Sequence, residues 1–197
     1  MKRSGLFRAL MRDSSFPSAV MLILLIIVNA ILQPNFFSYQ VFRMNFMTFT
    51  PLVLVSLAQA TVILVGAVDL SLGTGISLVT AVMASLMRDS PASIVLVIMV
   101  GIGVALFLSL FNGFFIGYLG PPPLIMTFAT STVWFGLALL IMPTPGGYIP
   151  EAYYGLYTTS LGGFLPVPVL VLLAALAFCL LLGRLRAFRH LYAVGGS

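Results

Sequence analysis

The sequence predicts an all-α polytopic membrane protein, with about six transmembrane helices and both ends in the cytoplasm. Three observations carry that prediction. Of 197 residues, 61% are hydrophobic and only 7% charged, with a mean hydropathy of +1.18, a composition foreign to ordinary soluble domains. The apolar residues form six runs, each near the ~20 that cross a bilayer. The basic residues gather at the two ends of the chain. Those end clusters make the net charge of +5 a topology signal rather than a nucleic-acid footprint.

The first segment carries Lys2, Arg3, Arg8 and Arg12 against Asp13, followed by an apolar core. A secretory signal peptide has that outline, but Val28-Asn29-Ala30 is a poor cleavage site and further apolar runs follow. The stretch 16–33 therefore reads as a first span, ended by Pro34 and Asn35. A polar-aromatic connection with Phe36, Phe37 and Tyr39 leads to a second span at 46–68, which contains Pro51 and Gln59. Gln59 reads as a helix–helix hydrogen bond or as a substrate contact. The third span is 70–87, closed by Arg88-Asp89-Ser90-Pro91.

A fourth span runs over 92–111, with Asn112-Gly113 following it. Gly113 and Gly117 have the spacing of a close helix contact. Gly120-Pro121-Pro122-Pro123 cannot be helix interior. The fifth span, 124–142, opens with Thr127, Thr130, Ser131 and Thr132, more hydroxyls than anchoring needs. The loop 143–166 holds Tyr148, Tyr153, Tyr154 and Tyr157, which read as an interfacial belt or as a docking surface for a soluble partner. A sixth span at 167–182 ends before Arg184, Arg186, Arg189 and His190. Cys179 lies within it and reads as packing, His190 as an interfacial residue.

The stretch 62–75, VILVGAVDLSLGTG, organises the chain. From Asn45 to Met87 the only charged side chain is Asp69, and a carboxylate between two apolar runs must face protein, water or a cavity. With Ser71 beside it, Asp69 reads as the N-cap of the next helix, as a polar group lining a transport path, or as both. Gly66, Gly73 and Gly75 crowd the same stretch, where a helix can break.

Residues 66–87, GAVDLSLGTGISLVTAVMASLM, resemble the Gly-x-Asp-Leu-Ser-(Val/Leu)-Gly stretch of the ABC-type sugar importer permeases, the ribose/xylose/galactose group of bacteria. Phe36-Phe37 is similar to that family's Asn-Phe-Phe entry, and Asn112-Gly113 with Pro122-Pro123-Leu124-Ile125-Met126-Thr127 to its Asn-Gly…Pro-Pro-Phe-Ile-Ala-Thr segment. Residues 189–196, RHLYAVGG, resemble its Arg-x-x-Tyr-Ala-x-Gly-Gly motif. The chain departs from the pattern at Gly120, Pro121, Phe135, Phe188 and Ser197.

The resemblance implies one transmembrane domain, 1–197, the N-terminal part of the family's domain, with 143–166 as a periplasmic loop. Family members continue past the Gly-Gly motif into a coupling helix, so the chain is expected to be a fragment that inserts without transporting. The implied role is the permease subunit of an importer for a monosaccharide or similar polar molecule, in the bacterial inner membrane. Its partners would be a second permease subunit, a periplasmic sugar-binding protein and a cytoplasmic ATPase. ATP and Mg would sit on that ATPase, since this chain has no phosphate-binding loop and no cofactor of its own.

The candidate substrate pathway is Asp69, Ser71, Gln59, Asn112, Thr127 and Thr130. The candidate ATPase-facing end is Arg189, Tyr192, Gly195 and Gly196. No catalytic or metal residues are expected. The rival readings are a secondary transporter or channel using Asp69 as a proton or cation site, a membrane enzyme, and a non-transporting permease remnant.

With six crossings and a cytoplasmic N-terminus, Lys2, Arg3, Arg8, Arg12, Arg184, Arg186 and Arg189 lie inside and only Arg43 and Arg88 outside. That is the positive-inside asymmetry. Cysteines placed at Ser4 and Ser197 should label only from the cytoplasmic side; periplasmic labelling of either contradicts the six-span topology.

Overall fold

Residues 16–184 of the chain are described by a computed structural model. The basic N-terminal segment and the candidate ATPase-facing residues Arg189, Tyr192, Gly195 and Gly196 lie outside the described residues. The order is α1 (Phe16–Leu32), α2 (Tyr39–Ile63), α3 (Leu72–Leu86), α4 (Pro91–Leu119), α5 (Pro123–Ile141), α6 (Glu151–Thr158), the short strands β1 (Ser160–Leu161) and β2 (Leu165–Pro166), and α7 (Val167–Arg184). Helices α2, α4, α5 and α7 are long and apolar enough to cross a membrane, and two shorter apolar helices accompany them. All-α membrane architecture is therefore what forms. Large apolar side chains such as Leu106, Phe107, Leu110 and Phe114 stand exposed along the helices, a surface suited to lipid rather than water.

Two compact units divide the chain, residues 1–46 and 47–197. In the first, Asn29 folds its amide back onto Leu25 O at 2.8 Å as α1 ends. Ser38 then accepts the Val41 amide at 3.3 Å and so caps α2. This cap corrects the expected start of the second span: the helix begins at Tyr39, and the polar-aromatic connection is shorter than its composition suggests.

In the second unit, α3 packs against α4 and α5. The core is Leu78 and Ala81 of α3, Leu108 of α4, and Trp134 and Ala138 of α5. The Phe111 ring meets Trp134 edge to face, with centroids 5.4 Å apart. The close helix approach falls at Gly101, where an added Cβ would sit 2.6 Å from Met83 Sδ. Gly113 and Gly117 face open space instead, so their spacing marks no contact among the described residues. Helix α4 also runs on to Leu119 rather than stopping at Phe111. Asn112 is buried within it, and the helix ends at Gly120, in the left-handed region at φ 68°, just before the prolines. Its start is set by Ser90, whose side chain accepts the Ser93 amide, with Pro91 in the first turn.

The segment after α5 is fastened at three points. Gly147 has φ +95°, and a Cβ there would lie 2.7 Å from the Ala84 Cβ; its neighbour Tyr148 donates its amide to Ala84 O at 3.2 Å. The Tyr148 hydroxyl donates to the Asp89 carboxylate. That bond raises the phenol above its ordinary value of 10.0, with burial and the carboxylate charge adding to it. The link is thus complete below pH 10 and is lost as the pH rises through the higher folded value. Third, Tyr157 of α6 donates to Met47 O at 2.8 Å.

That last bond has a cause in the sequence. Pro51 inside α2 has no N–H to offer the carbonyl four residues back, which is Met47. The Tyr157 hydroxyl supplies the missing donor. Two of the loop tyrosines are thus fasteners, whereas Tyr154 stands exposed as an interfacial residue would. Tyr157→Phe should lower thermal stability by about 1 kcal/mol. In a Pro51→Ala background, where residue 51 regains an N–H, the same change should cost clearly less; equal losses in both backgrounds contradict the pairing.

Candidate functional site

The third apolar run, 70–87, is helix from Leu72 to Leu86, and non-helical chain leads into it. Helix α2 stops at Gly66, whose φ is +74°. Gly66 N donates to Ile63 O and Ala67 N to Val62 O, the double bond of a Schellman end. Residues 67–71 then have no helical ladder before α3 starts at Leu72. At 15 residues, α3 rises only about 22 Å, less than the ~30 Å hydrocarbon core, and it is one of the two shorter apolar helices.

Such backbone survives at membrane depth only if protein groups satisfy it. Side chains from three places do so. The Gln59 amide, oriented by its partners, turns its nitrogen to Asp69 O and its oxygen to Asp69 N, both at 3.2 Å. Thr127 of α5 accepts the Leu70 amide at 3.1 Å and donates to Pro123 O at 2.9 Å. Asp69 Oδ1 accepts both the Ser71 amide and the Ser71 hydroxyl, each at 2.7 Å. This corrects the capping assignment. Ser71 occupies the N-cap position of α3, and Asp69 sits two residues earlier, closing an Asx turn that holds Ser71 in place.

The polar chain continues across to α4. Asn112 Nδ2 donates to Ser71 Oγ at 2.8 Å, which links residues 41 apart in sequence. Asp69, Ser71 and Asn112 therefore form one line of hydrogen bonds, carboxylate to hydroxyl to amide. They share the wall of a cavity of about 210 Å³ with Thr80, Ser109 and Trp134, among others. Apart from Asp69, every polar group on that wall is neutral.

Of the expected pathway residues, the fold thus brings Asp69, Ser71 and Asn112 together. Gln59 lines a separate, more open hollow with Asp69 on the α2 side, and its amide is engaged with backbone rather than with another helix's side chain. Thr127, 2% exposed, is taken up by the extended stretch. Among the described residues Thr130 bonds within α5, to Met126 O and Thr127 O. Trp134 escaped the sequence reading: a lone tryptophan in an apolar run carries no signal that separates cavity wall from core.

No family profile matches the chain, and no solved structure does. It is similar to the Autoinducer 2 import system permease protein LsrC of Yersinia enterocolitica, 31% identical over 173 residues, 85% of this chain and 46% of that protein. The D-allose transport system permease protein AlsC of Escherichia coli is 31% identical over 147 residues, 74% of this chain and 45% of its own length. A probable ABC transporter permease protein of Sinorhizobium fredii, y4mJ, is 28% identical over 199 residues, 99% of this chain and 58% of its own. The chain spans about half the length of the relatives it matches.

Gln59→Leu strips Asp69 N and O of both partners and should lower thermal stability by about 1–3 kcal/mol. Thr130→Val removes a bond internal to α5 and should change it by less than about 0.5 kcal/mol. The same midpoint shift in both variants, measured by thermal unfolding in detergent, would contradict the support assigned to Gln59.

Proposed function

From a chain that resembles ABC importer permeases over most of its length, and is a multi-pass protein of the bacterial inner membrane, we propose a permease subunit that admits a monosaccharide or similar polar small molecule. The observation that carries this reading is the cavity beside the broken span, walled by an amide, hydroxyls and one internally bonded carboxylate. A neutral solute needs such donors and acceptors, with apolar surface to stack on, and no counter-charge.

The proposed mechanism is alternating access in a permease dimer, with both termini of this chain in the cytoplasm. A periplasmic binding protein delivers the solute to the outer face, and cytoplasmic ATPase subunits, which carry ATP and Mg, drive the switch. This chain contributes path and selectivity and no hydrolytic chemistry. The broken span suits that role: two packed half-elements joined by extended backbone can change their angle without breaking a helix in lipid.

A proton- or cation-driven reading would need the Asp69 carboxylate free for exchange. Its Oδ1 instead accepts both donors of Ser71, which favours a positioning role. Any uptake of labelled D-ribose or D-allose into vesicles holding the protein with its cognate ATPase and binding protein should require ATP and survive collapse of the proton gradient. Uptake that follows the gradient and ignores ATP contradicts the importer reading.

A further inference from the structure

The segment between α5 and α7 shows more apolar surface than a loop standing in water. Phe164 in the hairpin is 72% exposed and Leu156 of α6 67%, and Ile149, Tyr154 and Leu161 stand exposed with them. Between Asp89 and Arg184 the only charged side chain is Glu151, the first residue of α6. Such a surface calls for an apolar partner.

Its fastenings set the level at which it lies. Tyr157 of α6 bonds Met47 O, and Thr50 donates to Pro168 O at 3.4 Å, next to the start of α7. Met47 is the ninth residue of α2, about 12 Å along the helix from Tyr39. Helix α6 therefore packs beside a membrane span and not beyond its end. The chain passes from Phe164 into α7 at Val167, and α7 in turn exposes Leu173 and Phe178. The apolar surface of the segment is thus continuous along the chain with that of a span.

Between α6 and α7 lies a hollow of about 400 Å³, lined by Ile149, Tyr153, Tyr154, Leu156, Tyr157 and Val167. The Tyr157 hydroxyl is committed to Met47. Those of Tyr153 and Tyr154 form no hydrogen bond among the described residues. The hollow therefore joins apolar walls to two phenol donors.

A docking surface for a soluble protein has a polar, charged rim, which this segment lacks. A phospholipid fits it better. Acyl methylenes match Ile149, Leu156 and Val167, and ester or phosphate oxygens accept from the two phenols, the division of labour of an interfacial tyrosine. Glu151 stands one turn before Tyr154 on the same helix. Its carboxylate repels an anionic headgroup and attracts an ammonium one.

We infer that residues 149–164 lie in the membrane interface, and that the hollow between α6 and α7 holds a phospholipid with an ammonium headgroup, phosphatidylethanolamine. Two measurements on the full chain in lipid nanodiscs test this. Trp134 is the only tryptophan, so Phe164→Trp and Leu156→Trp, each in a Trp134→Phe background, report on the segment alone. Both should lose emission to lipids brominated near the acyl carbonyl and keep it against iodide in the buffer. Quenching by iodide and not by the brominated lipid marks a surface standing in water, as a docking site for a soluble partner would, and overturns the inference.

The hollow is read by native mass spectrometry after release from equal phosphatidylethanolamine and phosphatidylglycerol. The parent should retain phosphatidylethanolamine preferentially. Tyr153→Phe with Tyr154→Phe keeps both rings and should weaken that retention about tenfold, while Glu151→Gln should narrow the preference between the headgroups. Equal or greater retention of phosphatidylglycerol by the parent, or unchanged retention in the double tyrosine variant, overturns the lipid site whatever the quenching shows.

Discussion

Backbone amides and carbonyls inside a bilayer must find partners within the protein, and the site depends on how residues 67–71 meet that demand. A helix meets it automatically. This stretch leaves the helix at Gly66 and does not rejoin one until Leu72, so its groups fall to side chains. Gln59 serves Asp69 at both N and O, Thr127 serves the Leu70 amide, and Asp69 serves the Ser71 amide. Each supporter comes from a different part of the chain: α2, α5 and the stretch itself. Losing one exposes an unpaired group in a medium that offers no substitute.

The same arrangement produces the cavity. Because Asp69 holds Ser71 from one side, the Ser71 hydroxyl is left facing Asn112 of α4. Asn112 lies buried within a 29-residue helix, with Trp134 of α5 on the same wall. The cavity wall is held by hydrogen bonds that run through neutral groups, with the one carboxylate engaged at Ser71.

Much of this was legible along the sequence, because membrane spans are written in long runs of one character. Of the glycines around Asp69, Gly66 marked the break while Gly73 and Gly75 lie inside α3, and the prolines after Gly120 marked the turn into α5. What was not legible depends on distance in the chain. Asn112-Gly113 looked like a helix end, yet the helix runs on to Leu119 and Asn112 lies inside it, its amide bonded to a partner 41 residues away. Asp69 beside Ser71 looked like a cap, and only the geometry distinguishes a cap from an Asx turn two residues earlier. The spacing of Gly113 and Gly117 suggested a contact that Gly101 makes instead, since spacing says nothing about which face meets a neighbour. Tyr157 could be paired with Met47 only after Pro51 was seen inside a continuous helix.

The central claim is that side chains, one by one, replace the missing helical ladder in residues 67–71. Residue-resolved amide hydrogen exchange in lipid nanodiscs, on the parent and on Thr127→Val, tests it most directly. The account predicts slow exchange at Asp69, Leu70 and Ser71 in the parent, and in the variant a selective acceleration at Leu70, whose acceptor is Thr127 Oγ1. Fast exchange at all three amides in the parent, or a Leu70 amide indifferent to Thr127→Val, would contradict it.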